Sequence, residues 1–246
     1  MDYRMKLALL AFLAALPLVG APNRADAAGP VRETRVASGF SRLEIDGQAD
    51  VILRQGTREG LTIEATGQAL KKIDSEVSGG MLSISLRDQR HWWDWILGGS
   101  PTRSPRIIID FIELDQIETA GAVNLRADRF KAADLRLDLA GASTLRIGDL
   151  QATRLRLDGA GAIKAEIAGK VGAQFVDLSG ASTYQAGALI SDSASLEISG
   201  AGKALVNAAT TLKVEISGAG AVQYIGNPRI EQEISGVGKI SRRDPQ

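Results

Sequence analysis

The stretch Leu196–Gly226, LEISGAGKALVNAATTLKVEISGAGAVQYIG, contains almost the same pattern twice. An alternating apolar and polar run leads to Ser-Gly-Ala-Gly, and a second such run leads to the same four residues. Alternation with a period of two over a short run is typical of a β-strand with one buried face. Glycine reaches backbone angles closed to other residues and lets neighbouring backbones approach closely. The stretch therefore predicts strands separated by tight glycine corners.

Related phrases recur through the second half of the chain. Their shared glycines are Gly121, Gly141, Gly159, Gly180, Gly200, Gly218 and Gly236. These glycines lie 20, 18, 21, 20, 18 and 18 residues apart. A spacing of about twenty residues is typical of repeat proteins whose units stack on one another. Stacking at the ~4.8 Å distance between strands predicts an all-β fold, a β-helix or β-solenoid with turns of about 18–21 residues.

The alternation assigns one position of each repeat to the interior and its neighbour to the exterior. The predicted interior residues, two before each glycine, are Thr119, Leu139, Leu157, Leu178, Ile198, Ile216 and Ile234. The predicted exterior residues, three before each glycine, are Glu118, Asp138, Arg156, Asp177, Glu197, Glu215 and Glu233. Six of these seven exterior residues are acidic, so the sequence predicts an exposed row of carboxylates.

The clearest part of this candidate acidic stripe consists of Asp177, Glu197, Glu215 and Glu233. One interpretation is a site for a cation or a basic partner. The other, which we favour, is a solvated face that discourages aggregation between sheets. A hard cation needs several oxygens that converge on one point, whereas a row spreads them along a line. The sequence therefore predicts no metal site and no cofactor.

The first part of the chain contains FSRLEIDGQADVILRQGTREGLTIEATGQALKKIDSEVSGGMLSISL, and the end contains VEISGAGAVQYIGNPRIEQEISGVGKI. Together with the Ser-Gly-Ala-Gly repeats between them, these segments resemble the bacterial putative auto-transporter adhesin, head GIN-domain family. The resemblance covers about residues 40–240. It implies a right-handed β-helix in the cell envelope and no established active site.

The N-terminus has the features of an export signal. Arg4 and Lys6 precede an apolar run, and Ala25 and Ala27 form a small-residue cleavage motif. Residues 1–27 therefore read as a secretory signal peptide, which predicts an exported protein in the periplasm or at the cell surface. A retained membrane anchor is the alternative, although the run is shorter than the ~20 residues of a membrane span. No span is expected after cleavage.

The remaining chain divides by composition and regularity. Residues 28–38 form a polar lead, and one domain is predicted over residues 39–240. Within that domain, residues 39–86 repeat irregularly, residues 87–105 form a Trp-rich loop and residues 106–240 repeat regularly. Residues 241–246 form a polar tail.

The Trp-rich loop is the candidate binding loop. It holds the single histidine, His91, together with Trp92, Trp93 and Trp95. Strand alternation would place the three rings on two faces, and nearby Gly and Pro residues interrupt the strand pattern. Exposed tryptophan is typical of contacts with sugars and proteins. The alternative is that the rings fold back and cap an open end of the stacked strands.

Composition excludes several classes of function. The 29 basic and 29 acidic residues cancel, so nothing indicates a nucleic-acid partner. With no cysteine and one histidine, few nucleophile and base pairs can be built. A glycan-active enzyme would need carboxylates that meet across a cleft, and the dense group Asp110, Glu113 and Asp115 fits turns better.

The sequence therefore predicts a non-catalytic, adhesin-like binding module of the cell envelope that contacts a glycan or an envelope or surface protein. Two alternatives remain open at this point. One is a structural protein that self-assembles end to end as a homo-oligomer, because exposed strand edges pair unless they are capped. The other is the glycan-active enzyme.

Overall fold

The computed structural model describes residues 30–86 and 104–244. Its elements are β1 (Val31–Arg35), β2 (Arg42–Gln55), β3 (Gly60–Ala65), α1 (Gly67–Leu70), β4 (Ile73–Ser78), β5 (Met81–Leu86), β6 (Arg106–Phe111), β7 (Gln116–Lys131), β8 (Asp134–Gly141), β9 (Thr144–Gly161), β10 (Lys164–Ile225) and β11 (Arg229–Arg242). The predicted signal peptide and the candidate binding loop with His91, Trp92, Trp93 and Trp95 lie outside the described residues. No helix of the described ranges is long and apolar enough to cross a membrane.

The all-β class is confirmed, but the prediction of a right-handed β-helix or β-solenoid is wrong. The strands form one eleven-stranded sheet of mixed direction, with the order β1-β3-β6-β2-β7-β8-β9-β10-β11. Strand β5 also pairs with β2, and β4 pairs with β5. Strand β3 runs antiparallel to β1 and β6, and β4 runs antiparallel to β5. A sequence period determines which residues become neighbours in parallel strands. It does not determine how the whole sheet is arranged.

The glycines of the repeats lie side by side, as the period predicts, with one correction. A Cβ on Gly141 would lie 2.4 Å from the carbonyl oxygen of Gly121, and one on Gly200 would lie 2.7 Å from that of Gly180. In the third repeat the aligned glycine is Gly161, which pairs with Gly141, and not Gly159. With Gly161 in place of Gly159, the aligned glycines all have positive φ, and their backbones are too close for a side chain.

The interior of the sheet is an aliphatic layer. Leu139, Leu178, Ile198 and Ile216 are at most 3% exposed, as the alternation predicts. The prediction is wrong for Ile234, which is 38% exposed because its strand is the last of the sheet. Gly159 occupies the interior position of the third repeat, where the side chain of Leu178 fills the space that its missing Cβ leaves. The register predicted for that repeat was therefore wrong by two residues. Gly159 and Gly161 both lie in this repeat, and either fits the sequence alignment of the repeats almost equally well.

A chain of hydrogen bonds is buried within this apolar layer. The hydroxyl of Tyr184 donates to Oε1 of Gln174 at 2.9 Å, and Nε2 of Gln174 donates to Oγ of Ser191 at 2.8 Å. The hydroxyl of Ser191 donates to the carbonyl oxygen of Asn207 at 2.7 Å. Burial raises the pKa of Tyr184 well above its ordinary value of 10.0. The chain satisfies polar groups that would otherwise destabilise the core.

Candidate functional site

The first candidate is an acidic row on the outer face of the sheet. Its members are Glu44, Glu118, Asp138, Asp158, Asp177, Glu197, Glu215 and Glu233. Strand pairing places Glu44 beside Glu118, Asp138 beside Asp158 and Glu215 beside Glu233. Asp158 thus occupies the place predicted for Arg156, so every position of the row is acidic.

Arginine and lysine side chains two residues before the acidic residues neutralise part of the acidic row. Nε of Arg136 lies 2.8 Å from Oδ2 of Asp138, and Nη2 of Arg136 lies 3.3 Å from Oδ2 of Asp158. Arg156 contacts Asp158 at 2.9 Å. Lys213 makes the same kind of contact with its neighbour Glu215, at 2.6 Å. Each of these basic residues therefore pairs with the acidic residue two positions later in the sequence.

The middle of the acidic row has no such partner. Phe175 and Ser195 occupy the positions two residues before Asp177 and Glu197, the position that Arg136, Arg156 and Lys213 occupy in three other repeats. Within the described ranges, neither Asp177 nor Glu197 forms an ion pair or a side-chain hydrogen bond. Two adjacent carboxylates about 4.8 Å apart repel by about 1 kcal/mol in water, so the fold tolerates them without a ligand.

The pKa values follow from these contacts. Partial burial opposes ionisation of Asp138, but hydrogen bonds and charge from Arg136 hold its pKa below the ordinary value of 3.8. The hydrogen bond to Asp138 raises the pKa of Arg136, and the hydrogen bond to Asp158 raises that of Arg156. These contacts favour the charged forms of Asp138, Arg136 and Arg156.

The acidic row borders a shallow, open groove of about 600 Å³. Among the described residues, no three side chains of His, Cys, Asp or Glu are placed to hold a metal ion together. The carboxylates extend along a line with strand spacing and do not converge. The arrangement can attract positive charge, but it offers no coordination sphere for a hard cation.

The second candidate is a groove of about 740 Å³, which we call the aliphatic groove. Its floor is made by the small residues Gly148, Ala168 and Gly187, each seven positions after one of the aligned glycines. Small residues leave a depression between neighbouring strands. The side chains of Leu205 and Ile225 border it, close to the space above Gly187.

An exposed apolar side chain lies in the same groove. Ile190 is 52% exposed and lines it beside Ala188. Exposed large aliphatic residues are common singly, but here one adjoins a concave surface that already contains aliphatic side chains. The groove therefore offers apolar contact area to a partner without any rearrangement of the core.

The rim of the aliphatic groove is charged with both signs. Arg126, Arg146 and Arg243 line it together with Asp128, Glu166 and Asp244. Arg146 and Glu166 form an ion pair at 3.2 Å across neighbouring strands. Arg126 forms no ion pair or side-chain hydrogen bond within the described residues, so its guanidinium is free to bind a partner. An apolar floor with a polar rim is the composition of a binding surface.

The sequence pattern does not predict the aliphatic groove. The acidic residues recur at a fixed position of the repeats, whereas the floor of the groove is formed by residues with small side chains or none. A usable signal existed in the position seven residues after three consecutive aligned glycines, where Gly148, Ala168 and Gly187 are all small. With Gly159 in place of Gly161 in the alignment, the third repeat does not show the spacing of seven residues.

Comparisons with known proteins agree with the resemblance seen in the sequence. The family model described as putative auto-transporter adhesin, head GIN domain, matches residues 39–228. A crystal structure of a putative adhesin from Bacteroides fragilis is similar with a TM-score of 0.81 and 18% identity, covering 88% of this chain and 98% of that chain. No curated protein matches the chain.

Two further crystal structures are similar over the same share of this chain. A putative lipid binding protein from Parabacteroides distasonis has a TM-score of 0.66 and 18% identity, covering 88% of this chain and 98% of that chain. A putative adhesin from Parabacteroides merdae has a TM-score of 0.66 and 16% identity, covering 88% and 97%. At these identities the likeness shows a common fold and nothing about ligands.

Proposed function

Because the chain belongs to the putative auto-transporter adhesin, head GIN-domain family, we propose that it is an exported, non-catalytic binding module. Its partner is a molecule of the cell envelope or cell surface, and the aliphatic groove is the contact surface. The observation that carries this proposal is the combination of an exposed aliphatic floor with a rim of three arginines and three acidic residues.

The chemistry of the groove favours a protein segment over a glycan. Sugar rings bind most effectively on flat aromatic faces, and the lining of the groove contains no aromatic residue. An extended polypeptide, in contrast, offers apolar side chains for the floor and charges of both signs for the rim. The proposed partner is therefore an envelope or surface protein.

A lipid ligand is the second class to consider, because one structural neighbour is described as a lipid binding protein. A lipid chain binds best in an apolar cleft or cavity that buries most of its surface. The aliphatic groove is open and is bordered by six charged side chains. This geometry supports a protein partner better than a lipid.

The test is to probe arrays of surface glycans, envelope lipids and exported proteins with the purified protein. The proposal expects saturable binding to a protein and none to glycans or lipids alone. Binding to glycans only, or no binding in any array, would overturn it. Turnover of any arrayed glycan would instead support an enzyme.

The candidate binding loop is proposed as a second contact. If Trp92, Trp93 and Trp95 meet the partner, their replacement by Ala should weaken binding and leave the melting temperature unchanged, because exposed rings contribute to contacts and little to folding. A large fall in melting temperature would show that the rings cap the sheet, and would end the proposal for this loop.

A further inference from the structure

Among the described strands, one end of the sheet is an open edge. Strand β11 is the last in the sheet order, and its inner edge pairs with β10 from Thr211 opposite Arg229 to Tyr224 opposite Arg242. No strand within the described ranges lies against its outer edge. A row of backbone N–H and C=O groups over 14 residues is therefore available for pairing.

The same edge exposes side chains that are buried one repeat earlier. Ile230 and Ile234 are 37% and 38% exposed, whereas their partners in β10, Leu212 and Ile216, are 1% exposed. On the outer face, Val237 is 85% exposed, and its partner Ala219 is exposed as well. The interior layer thus ends on uncovered aliphatic groups. An edge this long and this apolar is normally covered by another strand.

The opposite edge is built differently. Strand β1 has only five residues and runs antiparallel to β3. Its Arg32 forms an ion pair with Glu64. The guanidinium of Arg35 donates hydrogen bonds to the carbonyl oxygens of Leu70 and Ile73. Short, charged edges resist strand addition, so head-to-tail stacking of β11 on β1 is disfavoured.

The charges of β11 are complementary to those of a second, antiparallel β11. Glu233 and Lys239 lie three residues before and three residues after Gly236. Antiparallel pairing centred on Gly236 places Glu233 of one copy opposite Lys239 of the other, and symmetry makes this contact twice. It also places Ile234 opposite Gly238, a large side chain against a small one. Arg229 and Arg243 would meet at the ends, but Arg229 is already paired with Glu231.

We propose that two copies of this chain associate through β11 in an antiparallel arrangement with the two-fold axis at Gly236. Opposite charges directly across an antiparallel pair stabilise it, and uncovered aliphatic side chains lose their contact with water. A two-fold interface consumes the open edge of both copies. The assembly therefore stops at a dimer and does not grow into a filament.

The first test is the mass of the purified exported chain as a function of concentration, measured by sedimentation equilibrium. The proposal expects a reversible change from monomer to dimer and no larger species. Glu233→Lys and Lys239→Glu should each weaken the dimer roughly tenfold or more, because two attractive pairs become repulsive. The double variant should restore the affinity, and circular dichroism should show all variants folded.

The second test uses the absence of native cysteine. Glu233→Cys combined with Lys239→Cys should form a disulfide-linked dimer under oxidation. Glu231→Cys combined with Lys239→Cys is the matched control and should remain uncrosslinked, because these positions are not opposite each other. A monomer at every concentration, species that keep growing, a dimer insensitive to charge reversal, or crosslinking of the control as efficient as that of the test pair would each overturn the proposal.

Discussion

Replacing Gly161 by Ala tests the corrected register of the repeats. Gly161 has a φ of 116°, and a Cβ there would lie 2.4 Å from the carbonyl oxygen of Gly141. That backbone conformation is restricted to glycine, and forcing another residue into it costs about 1–3 kcal/mol before any steric overlap. Because the overlapping atom is backbone, it cannot rotate away. We expect Gly161→Ala to destabilise the protein by about 3 kcal/mol or more.

Gly159→Ala is the matched control. A Cβ at Gly159 would lie 2.9 Å from Cδ2 of Leu178, the end of a flexible side chain, and the φ of Gly159 is not positive. Repacking costs about 1 kcal/mol, and the loss of unfolded-state entropy offsets much of it. Thermal unfolding followed by circular dichroism should show a fall of roughly 6–12 °C for Gly161→Ala and little change for the control. Equal falls, or a larger fall for Gly159→Ala, would refute the register.

Three further predictions concern the core and the acidic row. Ile216→Asp should prevent folding, because it places an unpaired charge in a dry layer, and a folded variant with unchanged melting would contradict this. Millimolar calcium should leave the melting temperature nearly unchanged, whereas a rise that Glu197→Gln abolishes would show a cation site. The pKa of Asp138 is held below 3.8, so its ion pair stabilises the fold above that pH and is lost as the pH falls further. The difference in melting temperature between the wild type and Arg136→Gln should therefore be largest near neutral pH and narrow below about pH 4, and a difference constant with pH would contradict the assignment.

Much of the local structure could be predicted from the sequence. Alternation around Ile198 and Ile216 identifies the buried face, and positive-φ glycines such as Gly200 and Gly218 follow from the repeated phrase. The family resemblance is confirmed by the match over residues 39–228. These features depend on neighbours in one repeat or the next, which the sequence period relates directly.

The arrangement of the sheet and the groove could not be predicted in this way. The antiparallel pairs of β3 and β4 lie in the irregular first part of the chain, where no period relates one strand to the next. In the third repeat, Gly159 and Gly161 are both candidates for alignment, and only packing against Leu178 distinguishes them. The aliphatic groove depends on missing side chains, which leave no residue to recognise.

The most direct test of the proposed function is the affinity of three proteins for the surface protein that the arrays identify. The wild type is compared with Ile190→Arg, which places a long charged side chain in the aliphatic groove. Phe175→Arg is the matched control, since Phe175 is also a half-exposed apolar residue, 42% against 52%, but lies outside the groove. The proposal predicts at least a tenfold loss of affinity for Ile190→Arg, about 1.4 kcal/mol, and wild-type affinity for Phe175→Arg. Equal affinities for all three proteins, or a loss confined to Phe175→Arg, would contradict the assignment of the groove as the binding surface.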